Sequence, residues 1–486
     1  MKTRNLFLSL FAFAALCACN KEVQPETPQV LGEDAYVAVN ICAAGTDTKA
    51  VDYQLGTEAE NAVKNALFLF YDAAGNPAAF VTPALEAWTP GTDGQNVAST
   101  QTVLVLDNTV VRPTSMLVVL NYDDTKLADY KTASLSDIKE MVASLSVNIS
   151  STDYYTMSNS VYANGQNIFC EVALTGDNFQ NSVENAKSHP VTAYIERVAA
   201  KINVDASAPT IYSSEISIDG VSKTLTPTVL GYKIIETPDA SNLFKNVDPV
   251  TWNDNWTGWT LPGDYRSFWA KMPAPEDYNL TYYSHKEMNN TGEFYDYYHE
   301  NTSGGATTTK LIVAAQLKDG VNEVDFVKFA GLYYTLETFK DMSIIALGST
   351  ELPVTLDMLD VVAQNNLNQP KRYQMHLKLN AAYTGSDKDA KNTLLEGRTA
   401  LYWQKGKSYY FVDIQDVTAP DGFKSGVVRN HYYDITVNSI KGLGVPVPDD
   451  NADIDPETLT EEHYNVAATI NILQWRIVEQ SVDFNN

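Results

Sequence analysis

The chain has 486 residues, of which 44% are hydrophobic, 19% charged and 11% aromatic. That composition excludes a disordered or collagen-like chain, and at roughly 150 residues per domain it leaves room for two or three domains with cores. The 60 acidic residues against 34 basic ones give a formal net charge of -26, which excludes nucleic-acid binding through a general basic field and disfavours docking on anionic lipid.

The first element is an address. Lys2 and Arg4 precede an apolar run from Leu6 to Leu16, too short to span a bilayer, which needs about 20 residues, but of the length found in a signal peptide. The ending Leu16-Cys17-Ala18-Cys19 resembles a bacterial lipobox, with Cys19 as the residue to be lipidated. An ordinary secretory signal with incidental cysteines is the plainer alternative. Of the four cysteines, Cys42 and Cys170 then remain, expected as free thiols. Asn20 to Asp34, with its Pro and Glu residues, reads as a flexible tether, and no later segment is apolar enough to cross a membrane.

Strand signals dominate the chain from residue 35 onward. Ala35 to Ala43 alternates, with Val37, Val39, Ile41 and Ala43 on one face. Ala66 to Tyr71 leads into the turn signal Asp72 to Asn76, and Gln101 to Leu106 and Met116 to Tyr122 continue the pattern. Ser134 with Asp137 resembles a capping box, and Leu135, Ile138, Val142 and Leu145 recur at helical spacing. A second helix is expected from about Leu356 to Asn365. Everything else after residue 190 reads as β: Val191 to Val204, Leu311 to Gln316, Tyr409 to Ile414, His431 to Val437, and Ala467 to Phe484. Many short strands with few helices predict a mainly all-β chain of sandwiches or barrels. No short-period repeat stands out, and a division is expected near residue 207, at Ala206 to Pro209.

Catalytic signatures are missing. The six histidines sit in no metal-ligand spacing, and there is no nucleophile elbow, P-loop or dinucleotide fingerprint. Asp449 to Asp455 begins like a calcium loop, but Ile454 stands where glycine is needed and Thr460 where the bidentate Glu belongs, so a solvated loop is the better reading. Phe294 to Tyr298 and Tyr402-Trp403 could form a sugar platform, although cross-strand packing is the commoner use of strand aromatics. No enzyme, metal or cofactor is expected.

Two segments carry more. The C-terminal stretch Ala468 to Phe484 has no Pro or Gly, and the changes of parity among its Ile470, Ile472, Leu473, Trp475 and Ile477 suit a strand with bulges or one buried on both faces, either as a donor or as the last strand of its own domain. Near the other end, Gly45 to Ala50 is small and polar with one basic residue, as a protease substrate or an ordinary loop would be. Cutting between Lys49 and Ala50 would release the strand holding Val37, Val39 and Ile41, leaving a groove another strand can fill.

The residues resemble a family. The lipobox, ALFLFYDAAGN at 66–76, TMSNSVY at 156–162, ERVAAKINV at 196–204, YHENT at 298–302, GVVRNHYY at 426–433 and GLGVPVP at 442–448 are together similar to the fimbrillins of Bacteroidales, specifically the major subunit of the short, Mfa-type fimbriae. The resemblance implies two tandem transthyretin-like β-sandwich domains with a few short helices: a signal peptide at 1–18, a lipidated tether plus removable first strand at 19–49, and domains at 50–207 and 208–486. It implies an outer-membrane lipoprotein precursor with lipid on Cys19, cut at Lys49–Ala50 by a trypsin-like protease and assembled by strand exchange with Ala468 to Phe484 as the donor. Best-known members are cut after Arg, whereas the region here offers Lys21 and Lys49. The function expected is a structural pilin, self-polymerising into a surface fimbria for adhesion and biofilm formation. Its partners would be accessory anchor and tip fimbrillins and host or bacterial surface receptors, with no nucleic acid. The alternative is an accessory or tip fimbrillin, or a surface lipoprotein that binds host protein or glycan.

Overall fold

The structure, a computed structural model, describes residues 35–43, 56–84, 89–90, 98–107, 111–160, 162–164, 167–246, 271–348, 352–363, 374–415, 426–456, 465–473 and 479–481. The expected lipidation site Cys19, the cleavage bond Lys49–Ala50, and Trp475 and Ile477 lie outside the described residues.

The N-terminal half is built on one sheet. Its strands are β1 (Ala35–Ala43), β2 (Ala66–Tyr71), β3 (Pro77–Val81), β4 (Thr89–Pro90), β5 (Ala98–Leu106), β6 (Ser115–Leu120), β7 (Met157–Asn159) and β8 (Val191–Arg197), in the spatial order β3-β2-β6-β7-β8-β1-β5-β4. The six residues of β2 are all buried, because both faces of this strand are covered. Phe68 and Phe70 enter a core with Val37, Val39, Leu104, Val118 and Ala193. Leu67, Leu69 and Tyr71 face the other way, against Tyr130 and Ile138 of two short helices, Leu127–Thr132 and Leu135–Glu140. The turn after β2 forms as its sequence predicts: Asp72 Oδ1 accepts from the backbone N–H of Ala74 at 2.8 Å and of Asn76 at 2.9 Å, and Gly75 takes φ +80°.

Ala199 opens a pair of sheets. Their strands are β9 (Ala199–Asp205), β10 (Ser214–Ile218), β11 (Val221–Ile235), β12 (Glu293–His299), β13 (Lys310–Asp319), β14 (Phe326–Phe329), β15 (Leu332–Tyr334), β16 (Leu359–Ala363), β17 (Gln374–Leu379), β18 (Ala400–Trp403), β19 (Lys407–Asp413), β20 (Tyr432–Lys441), β21 (Val445–Pro446), β22 (Asn465–Leu473) and β23 (Glu479–Ser481). One sheet runs β12-β9-β20-β22-β23, the other β16-β17-β18-β14-β15-β10-β11-β13-β19-β21. Ile202 and Val204 from β9, Tyr433 and Ile435 from β20, and Tyr232, Leu311 and Val313 from the larger sheet interdigitate as the sandwich core. The chain is mainly β, as expected, and sheet membership changes at Val198, ahead of the Ala206–Pro209 segment.

Several local expectations are corrected. The helix at Ser134 is real and capped, with Ser134 Oγ accepting from Asp137 N at 3.2 Å, but it stops at Glu140, and Val142–Ala143 is a short strand. The expected helix at Leu356–Asn365 is a single 3-10 turn followed by β16, because Leu359, Val361 and Val362 pair with β17 instead. The stretch after residue 190 also contains two helices, Leu336–Ala346 and Lys388–Glu396, which pack Phe339 and Leu395 onto β16 to β18. The run Val191 to Val204 is two strands in two sheets. Cys170 is a buried free thiol, as expected, and burial pushes it up to about 12. Trp403 is fully buried and stacked on Phe326 at 4.7 Å, so it packs within the sandwich rather than serving as a sugar platform.

Candidate functional site

β1 occupies an interior slot. It lies parallel to β8, with Val39 opposite Val191, and antiparallel to β5, with Ala35 opposite Leu106 and Cys42 opposite Ser99. Its alternation places Val37 and Val39 in the core, both with no exposure. The opposite face is closed too. Ala38 is fully buried, and the helix Val183–Ser188, carrying the equally buried Ala186, lies against the strand. Two backbone bonds join Tyr36 and Gln180, at 2.7 and 3.0 Å, and Gln101 Nε2 donates to Asn40 Oδ1 at 2.7 Å. Ile41 continues the strand by its backbone register with Ala193.

Loss of such a strand would be costly. Burying Val37 and Val39 is worth about 1.5–3 kcal/mol each, and ladder hydrogen bonds on two sides add about 1 kcal/mol apiece. Removing β1 leaves unpaired backbone groups on both β8 and β5, with an apolar trough between them.

The C-terminal segment sits elsewhere. β22 runs antiparallel to β20, from Lys441 opposite Asn465 to Tyr432 opposite Leu473, and β23 folds back onto β22. Ile470, Ile472 and Leu473 therefore form a strand on their own chain's C-terminal sandwich. The structure does not bring them to the β1 slot.

A second constellation lies where the N-terminal sheet meets the C-terminal sandwich, and the sequence motifs converge on it. Glu196 and Lys245 form an ion pair of 3.1 Å with neither side chain exposed, and Ser160 Oγ donates to Glu196 at 3.1 Å. Arg197 donates to the Glu60 carbonyl at 2.8 Å, to Asn430 Oδ1 at 3.1 Å and to Asn61 Oδ1. Lys201 reaches Glu60 at 2.9 Å, and the Tyr297 hydroxyl donates to the same carboxylate. Burial alone would raise the Glu60 carboxyl, but the bonds from Tyr297, Lys201 and the Thr57 N–H outweigh it and hold the group below its ordinary value. Arg429 is fully buried: its Nε donates to Glu300 at 2.9 Å, its Nη1 to the Leu243 carbonyl at 3.2 Å and its Nη2 to the Asn242 carbonyl at 2.5 Å. His299 Nδ1 meets Ser241 Oγ at 2.9 Å. Burial first, and Arg429 second, push this imidazole down to about 4.

Sequence reasoning missed the piece that fastens this joint. Ser241 and Asn242 pair with Ala143 and Val142, the Leu243 N–H donates to the Met141 carbonyl at 2.6 Å, and the Leu243 carbonyl accepts from Ser158 Oγ at 2.6 Å. Leu243 and Phe244 then fill the outer core beside Leu67 and Leu69. The strap Ser241–Lys245 thus crosses from the C-terminal sandwich onto the N-terminal half. Its only signal in the sequence is an apolar pair set between polar residues and a lysine. Chemically, the joint is a set of mutually neutralised buried charges, suited to rigidity, and no group of three or more His, Cys, Asp or Glu that could hold a metal occurs among the described residues.

Residues 401–481 match the family model described as major fimbrial subunit protein type IV, fimbrillin, C-terminal. No curated protein matches the chain. Among solved structures, a candidate cell adhesion protein from Parabacteroides distasonis is similar at 13% identity, covering 92% of this chain and 98% of its own, with a TM-score of 0.42. A fimbrilin (fimA) from Porphyromonas gingivalis W83 is similar at 13% identity, covering 93% and 100%, with a TM-score of 0.39. The tip fimbrial protein Mfa3 from Porphyromonas gingivalis is similar at 12% identity, covering 91% and 100%, with a TM-score of 0.34. The resemblance to fimbrillins is shown by the family model over residues 401–481, which span β18 to β23 and hold the motifs at 426–433 and 442–448.

Proposed function

We propose that this chain is a polymerising subunit of a cell-surface fimbria, made as an outer-membrane precursor lipidated at Cys19 and activated by cleavage between Lys49 and Ala50. The first strand, with Val37, Val39 and Ile41, is the plug. The C-terminal segment, with Ile470, Ile472, Leu473, Trp475 and Ile477, is the donor that enters the vacated slot of the next copy. The role is structural rather than enzymatic, and it supports adhesion and biofilm formation. Its partners are further copies of the chain, anchor and tip fimbrillins, a trypsin-like protease and surface receptors. The two domains of this proposal are 50–207 and 208–486, with the change of sheet at Val198 just ahead of that division.

The observation that carries the reading is the position of β1, interior to its sheet and buried on both faces, with only a short segment between its end and the one basic residue beyond it. An edge strand could be lost and leave a closed sheet. An interior strand leaves a two-sided vacancy that only another strand can close. One observation favours an accessory role instead: β22 is already paired with β20 and covered by β23, so donation requires this hairpin to leave its own sheet.

Limited trypsin digestion of the chain starting at Asn20 separates the two readings. N-terminal sequencing should show Ala50, and SDS-resistant multimers or filaments should then be visible by electron microscopy. Clean cleavage with a persistent monomer would favour the accessory role. Resistance of Lys49 while other sites are cut would sink the plug mechanism.

A further inference from the structure

The two halves of the chain place their first strands alike. β1 lies parallel to β8 and antiparallel to β5, and β9 lies parallel to β20 and antiparallel to β12. A signature of five residues also recurs, as Val37-Ala38-Val39-Asn40-Ile41 within β1 and as Val198-Ala199-Ala200-Lys201-Ile202, which starts one residue ahead of β9. Burial runs in the same order. Val37, Ala38 and Val39 have no exposure, and neither have Val198, Ala199 and Ala200, whereas Asn40 and Lys201 are partly exposed. The signature occurs a third time at the C-terminus, as Val466-Ala467-Ala468-Thr469-Ile470, and continues with Asn471-Ile472 as the second copy continues with Asn203-Val204. There it lies in no first-strand position: β22 runs antiparallel to β20, on the side of β20 away from β9.

We propose that Val466–Ile470 is a travelling first strand that replaces Val37–Ile41 of a second copy of this chain residue for residue, parallel to β8 and antiparallel to β5. This rests on the strand-exchange reading of the protein's function and adds its register and direction. Ala38 sets the register, because it is fully buried on a strand that the helix Val183–Ser188 packs against, and in this alignment Ala467 takes its place without added volume. Val466 then replaces Val37, and Ile470 replaces Ile41. Thr469 arrives opposite Gln101, where its hydroxyl can accept the hydrogen bond that Asn40 accepts now. A slip by two residues would match Asn471 to Asn40 but drive Thr469 into the buried place of Ala38 and put Ala468 in the place of Val37. A slip by one would turn every side chain to the wrong face.

Paired cysteines test this. Asn40 and Gln101 are cross-strand partners, so Gln101→Cys with Thr469→Cys should link neighbouring copies, and each single-cysteine variant sets the background. After trypsin cleavage and mild oxidation, the pair should give a ladder of covalent multimers that collapses on reduction, while Gln101→Cys with Asn471→Cys stays at background. A ladder from the Asn471 pair instead would overturn the register and leave strand exchange standing. Filaments with neither pair linked would overturn parallel insertion. A synthetic Asn465–Leu473 peptide carrying Thr469→Cys, added to the cleaved Gln101→Cys chain, covers the case in which no filaments form. Failure of that peptide to link, with no multimers, would sink both the register and the exchange it rests on.

Discussion

Replacing Arg429 with Met tests the joint between the two halves of the chain. The guanidinium is wholly buried, binds Glu300 through two nitrogens, and satisfies the carbonyls of Asn242 and Leu243 at the strap. Arg429→Met leaves the Glu300 carboxylate buried without its partner and removes the donors to both carbonyls. Breaking a buried ion pair from one side costs about 3–5 kcal/mol, whereas replacing both members with apolar groups of similar volume is often close to neutral. The single variant should therefore lower Tm by roughly 6–20 °C, on the scale of about 2–4 °C per kcal/mol for domains of this size. Arg429→Met with Glu300→Leu should recover much of that loss. Urea unfolding of the two single variants, the double variant and the parent closes the cycle. A single-variant cost below about 1 kcal/mol, or a double variant as costly as the two singles added, would refute the argument that these charges are held by one another.

The same geometry sets other outcomes. His299 titrates near 6.5 when unfolded but is pushed down to about 4 in the fold, by burial first and Arg429 second. Its contribution to stability is thus fully present above about pH 6.5 and is lost as pH falls to about 4, about 3 kcal/mol in all. His299→Gln should flatten that acid limb in denaturant titrations at pH 7 and pH 4.5, and an unchanged slope would contradict the burial argument. Trp403→Ala removes the stack on Phe326 and the bond from its indole N–H to the Leu443 carbonyl at 3.1 Å, and should cost about 3–5 kcal/mol by thermal unfolding. Ala467→Leu should overpack the buried place of Ala38 by about 1–3 kcal/mol and so reduce multimer yield after cleavage, with the rate of cutting at Lys49 unchanged. Wild-type multimer yield would show that Ala38 is no steric filter.

Legibility in the sequence was mostly a matter of alternation. Val37 and Val39 share a face, Ala66 to Tyr71 is buried throughout, and Asp72 turns the chain, because each depends on neighbours within a few residues. The helix Leu336–Ala346 was missed although Thr335 caps it, with its hydroxyl accepting from Thr338 N at 3.2 Å. Its Thr, Ser and Ile content weakens the helical signal, and packing of Phe339 against β16 to β18 supplies the rest. The sequence motifs were visible as words but not as a joint. Arg197 finds Glu60 and Asn430, and Arg429 finds Asn242 and Glu300, and no local pattern announces partners so far away along the chain. The recurrence of Val-Ala-x-x-Ile is not legible in the sequence alone, because five residues are too few to count as a repeat until two of the copies are seen in equivalent strands.

The parallel neighbour of β1 sets the order of events during synthesis. Val39 emerges early, yet the strand beside it begins at Val191, so the first sheet has a gap until most of its half of the chain has been made. Long-range parallel pairing of this kind is slow to form because the intervening loop must be closed first. A domain whose opening strand waits for a partner about 150 residues further on stays incompletely folded until Val191 to Ile195 have been made.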